Sequence, residues 1–164
     1  MKQTLSLPDP STIALLVLVS LIYWWGSRAG TFWMVLLRFP STLIHELAHL
    51  LIALITLARP GSVSIFPKRT SDGCWILGSV ECKRISRFNA FPVGMAPALL
   101  NLPFALWTYQ WGSTEGYLLS MLLVTAAVPS LQDMKIAVSS FTGFALWITT
   151  LLVLGGRMSW FEAY

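Results

Sequence analysis

The chain has 164 residues, enough for one domain by length, with 55% hydrophobic and 11% charged residues and a mean hydropathy of +0.68. Ordinary soluble domains carry about 25% charged residues, so the composition excludes a globule with a charged, water-facing surface and points to an integral membrane protein. The net charge is +4, and the basic residues Arg59, Lys68, Arg69, Lys83, Arg84 and Arg87 crowd into one polar stretch, which excludes a nucleic-acid-binding stripe along the chain.

In chain order, the pattern predicts one domain over 1–164 with about five transmembrane segments and a small β-hairpin insert, an all-α integral membrane fold apart from that hairpin. Segment 12–25 follows Pro8 and Pro10, with Ser11 as its expected N-cap. Lys2 and the small-x-small run Ser27-Arg28-Ala29 also fit a cleaved signal. The aromatic end Tyr23-Trp24-Trp25 favours a retained span anchored at the interface. Segment 31–58 contains Pro40, which is expected to kink it, with Ser41 or Thr42 capping a fresh helix. Arg59-Pro60-Gly61 stops it.

Residues 62–82 change character. Ser62-Val63-Ser64-Ile65-Phe66 and Cys74-Trp75-Ile76-Leu77-Gly78-Ser79-Val80 read as two strands around a turn-rich connection, a hairpin that packs on the helices or the membrane surface. Segments 93–109, 117–128 and 134–154 follow, the first carrying Pro97 and Pro103. Gly94 and Ala98 offer a small-xxx-small contact. Pro129 and Ser130 break the chain between the last two segments. The basic loop over 59–90 reads as cytoplasmic, and so does the N-terminus, two spans before it. The same loop is able to touch anionic headgroups. Its cysteines, Cys74 and Cys82, are expected as free thiols in that compartment, with a cross-strand disulfide as the alternative.

The chemistry concentrates in His45-Glu46-Leu47-Ala48-His49, an H-E-x-x-H motif holding both histidines of the chain. Four residues on a helix bring both imidazoles to one face, about 6 Å apart along the axis. That pair can bind one Zn²⁺, with Glu46 beside it as a base. Such groups are expensive in an apolar span unless they serve a function. A third ligand is required. Most of the seven acidic residues fall in loops or termini, which leaves Asp133, at the break after Pro129-Ser130. Its alternative role is to cap segment 134–154, paired with Lys135.

Together, the H-E-x-x-H in an apolar helix, the hairpin-like insert after it and a late aspartate beyond a proline break resemble the site-2 protease family of intramembrane zinc metalloproteases, most nearly its small branch without a PDZ domain. The likeness spans roughly 40–138. It implies His45, His49 and Asp133 as zinc ligands and Glu46 as the catalytic base for hydrolysis of membrane-protein substrates. It also implies a substrate contact from Asn101, for which helix packing is the alternative. The chain departs from the family pattern in having Met134 where glycine follows the aspartate, and in placing Asn101 four residues after Pro97 rather than three.

A substrate helix must unwind before cleavage, and a hairpin edge can hold the unwound segment by strand addition; the alternative is a plain surface support. Arg38 reads as a side chain reaching the headgroups, with stabilisation of an anion as its alternative. The tryptophans read as interfacial anchors. Two rival functions remain: a non-catalytic zinc-binding pseudoprotease that holds clients, and a small channel or transporter subunit. The implied partners are the bilayer and a transmembrane or peptide substrate, with room for a regulatory membrane partner.

Overall fold

The computed structural model describes residues 8–69, 71 and 75–161, with 154–161 as backbone only. The described residues are mostly helical, with two small antiparallel strand pairs. The first helix, α1 (Pro10–Gly26), is capped by Asp9 rather than Ser11: its carboxylate accepts the Thr12 N–H at 2.6 Å, and Pro10 takes the first helical position. The hydrogen bonds from Thr12 hold the Asp9 carboxyl below the usual carboxylate range.

Helix α2 (Thr31–Ile55) runs through Pro40 without a fresh start. Ser41 does not cap a new helix; its hydroxyl donates back to Arg38 O at 2.9 Å and bonds the Tyr23 hydroxyl of α1 at 3.0 Å. The C-terminus closes as a Schellman motif: Ala58 N–H reaches Ala53 O at 2.8 Å and Leu57 N–H reaches Leu54 O at 3.2 Å. Leu57 sits at φ +55°, where glycine is usual, and Arg59 follows at φ +52°. Ala53 and Ala58 are fully buried and pack with Val93. These two left-handed residues turn the chain sharply, so that the next segment folds back along α2.

That segment is a longer arm than the expected hairpin. Strand β1 (Pro60–Ser64) pairs with β4 (Ser79–Cys82), and β2 (Lys68–Arg69) pairs with β3 (Trp75–Ile76) nearer the tip. The two ladders part between Ser64 and Lys68, where Pro67 offers no N–H, and the β1–β4 register also shifts between Pro60 and Val63. Asn89 ties its return to α2: it accepts Ser86 N–H at 2.6 Å and donates to Arg84 O at 3.1 Å and Thr56 O at 3.4 Å.

Segment 93–109 is two helices, α3 (Ala90–Gly94) and α4 (Ala96–Tyr109). Next comes α5 (Thr114–Ala127), capped by Ser113. The expected single segment 134–154 is likewise two helices, α6 (Leu131–Val138) and α7 (Phe141–Phe161). Ser130 caps α6, and a second break falls at Ser139-Ser140. By length and composition α2 can cross a membrane, and α5 with α6 passes the same test as a pair bent by 62°.

Candidate metal centre

His45 and His49 project from one face of α2, with ring centroids 4.9 Å apart. Asp133, at the third position of α6, lies across from them. His45 Nε2 is 3.3 Å from Asp133 Oδ2, His49 Nε2 is 3.2 Å from Asp133 Oδ1, and the two Nε2 atoms are 3.3 Å apart.

Helix breaks explain how these groups are held. A carbonyl in a helix accepts from the N–H four residues later. For Val93 that residue is Pro97, which has no N–H, and Val93 O accepts from His49 Nδ1 at 2.8 Å instead. For Ala126 it is Ser130, whose N–H is taken by Asp133 Oδ2 at 2.7 Å. Ala126 O accepts from His45 Nδ1 at 2.9 Å. Each imidazole therefore donates from Nδ1 to a carbonyl orphaned by a break, which turns the Nε2 lone pairs inward. Such outer hydrogen bonds set the tautomer of metal-binding histidines.

Asp133 caps α6, as one of its two expected roles required, and its position also suits the other. It closes a capping box with Ser130, whose hydroxyl accepts Asp133 N–H at 3.2 Å, while its carboxylate faces the histidines. Gly94 allows this approach. A Cβ there would lie 2.6 Å from Ala137 N and 2.9 Å from its Cα, so α3 and α6 touch backbone to backbone. The small-residue contact anticipated at Gly94 is thus made with α6.

His45, His49 and Asp133 form a group that could hold a metal ion. Two Nε2 lone pairs and a carboxylate are all acceptors, so at these distances a proton or a cation must lie among them. The separations also match a small ion: a tetrahedron with bonds of about 2.0 Å has edges of about 3.3 Å. The larger bonds and six to eight oxygen ligands of Ca²⁺ fit this set poorly.

Glu46 lies beside the group, beneath the turn between β3 and β4. A Cβ on Gly78 would come within 2.6 Å of Glu46 Cγ and 3.1 Å of its Oε1, so the arm rests directly on this side chain. Cavities of about 620 and 610 Å³ flank the site, and His45, Glu46, Gly78 and Ser130 line both. The second is walled along one side by Ser79–Cys82 of β4. Cys82 there carries a free thiol whose pKa burial pushes up; Cys74 lies outside the described residues, as does any pairing with it.

Asn101 is buried and lines neither cavity. Its Nδ2 donates to Ala126 O at 3.3 Å, the carbonyl that also orients His45. This bond is the packing role that the sequence left open for Asn101 beside a substrate contact. Gly78, the partner of Gly94 and the two carbonyls escaped sequence reasoning. Pro97, four residues beyond Val93, was the one signal that could have found a carbonyl.

Comparison of the chain with protein families, curated proteins and solved structures finds no match.

Proposed function

We propose that this chain is an integral membrane, multi-pass zinc metalloprotease of the site-2 protease type, hydrolysing peptide bonds of membrane-protein substrates. The observation that carries the reading is the convergence of three acceptor groups, with metal-ligand edges, next to the carboxylate of Glu46. His45, His49 and Asp133 would hold the ion, leaving a fourth position open as catalytic sites require. When bound, the ion supplies Lewis acidity, which acidifies water and polarises a carbonyl. Glu46 takes a proton from the attacking water and delivers it to the leaving amine. The orphaned carbonyls keep both imidazoles turned toward the reaction.

A membrane setting is supported by the surface. Only 17% of the most apolar stretch of α2 is buried, unlike the core helix of a soluble protein. Large apolar side chains such as Leu18, Leu21, Trp25, Phe32, Leu54, Ile55, Leu106 and Leu152 stand exposed. Apolar surface of that extent marks contact with lipid or a partner. In this reading the basic arm and the N-terminus are cytoplasmic. Among the described strands β4 pairs only with β1, so its other edge is open to an unwound substrate beside the second cavity.

The test is Glu46→Gln in purified protein. Zinc content is expected to stay near stoichiometric while cleavage of an apolar helical peptide falls by about 10²- to 10⁴-fold, the usual contribution of a general base. A variant that cleaves as well as the wild type removes Glu46 from the mechanism. Zinc without turnover in the wild type itself would instead select the pseudoprotease.

A further inference from the structure

Arg38, Thr42, His45 and Glu46 recur at the spacing of one α2 face, and all four line the first cavity. Among the described residues Arg38 is the only lysine or arginine on the wall of either cavity. Among the described residues no carboxylate lies within ion-pair distance of its guanidinium, since the ion pairs found join only Asp133 to the histidines. The turn that carries it is braced: Ser41 donates to Arg38 O at 2.9 Å and is bonded by the Tyr23 hydroxyl at 3.0 Å. Glu46 lines both cavities and the second adds Glu81 and Asp133, so among the described residues Arg38 is what sets the charge of the first apart from that of the second.

We propose that Arg38 is an anion-binding subsite of this cleft, selecting peptides with a carboxylate on one side of the scissile bond. The proposal rests on the hydrolase reading above. Arg38 precedes His45 by seven residues, about 10 Å of helical rise, which an extended peptide covers in about three residues. Arg38 is exposed, at the edge of the cavity it lines, and a guanidinium binds a carboxylate through paired, charge-assisted hydrogen bonds. The preferred substrate therefore carries Asp, Glu or a chain-terminal carboxylate about three residues from the bond cut, on the Arg38 side.

The experiment uses the full chain in detergent micelles and an apolar fluorogenic peptide in which a single Asp is moved position by position, with Asn as its control. Binding is read by fluorescence anisotropy on the Glu46→Gln protein, and cleavage on the wild type. One Asp position, on one side only, is expected to bind about tenfold tighter than its Asn control, as one charge-assisted pair allows. Arg38→Gln is expected to erase that preference and Arg38→Lys to retain part of it. In Arg38→Glu, the preference is expected to move to a peptide with Lys at the same position. Indifference to the Asp position in the wild type, or an unchanged preference in Arg38→Gln, overturns the subsite and assigns Arg38 to the headgroups. If the binding preference appears but no peptide is cleaved, the subsite stands and the hydrolase reading fails.

Discussion

Helix α2 and the α5–α6 pair both contain a proline and both contribute to the candidate metal centre, yet α2 stays whole while the pair bends by 62°. After Pro40 no cap is formed; Ser41 bonds back into the preceding turn and α1 braces it. After Pro129, Ser130 and Asp133 close a capping box, and a new helix starts in a new direction. A proline thus ends a helix where the following residues can begin another. The whole helix contributes side chains at fixed spacing. The broken one contributes what an intact helix conceals, a free carbonyl at Ala126 and an inward-facing capping carboxylate.

The largest test of this contrast is Asp133→Asn. Its side-chain oxygen can still accept from Ser130 N–H, so α6 is expected to keep its helical content while zinc binding is lost, measured by metal content and circular dichroism. Loss of both together would mean that the cap and the ligand are inseparable.

Next is Gly94→Ala, which pushes α6 away from α3. Zinc affinity is expected to fall by about 10- to 100-fold, the range seen when a metal ligand's support is disturbed. Competition with a chromophoric chelator reads this directly, and unchanged affinity would show that the backbone contact does not position Asp133.

Pro97→Ala returns an N–H to the α3–α4 junction, where it competes with His49 for Val93 O. A drop of about tenfold in zinc affinity is expected, at the lower end for a lost outer-shell bond. An unchanged value would mean that the carbonyl serves His49 whether or not the helix is broken.

The smallest effect belongs to Asn101→Leu. His45 keeps its own bond to Ala126 O, so the loss in affinity is expected to stay under about tenfold. Loss of substrate binding at unchanged zinc affinity would return Asn101 to the cleft.

Much of the site could be read from residues close together in the chain. His45, Glu46 and His49 lie within little more than one helical turn, so helical periodicity alone puts them on one side. The existence of the arm after α2 and of the break at Pro129 was also legible, because turn residues and alternating patterns act locally. The helix joints at Met95 and at Ser139-Ser140 were not, since the apolar run continues through Met95 and a serine pair is tolerated inside a helix. The N-cap of α1 was misplaced by two residues because Asp9, Pro10 and Ser11 all suit a helix start.

By itself, then, the chain determines the motif, its apolar setting and the small set of carboxylates from which a third ligand can come. Tertiary structure alone decided that Asp133 reaches the histidines, that Gly94 lets it approach and that Gly78 lies over Glu46. It also decided that orphaned carbonyls at Val93 and Ala126 aim the two rings. The reason is physical: spacing along a helix follows from bond geometry, whereas contacts between helices depend on where each break redirects the chain.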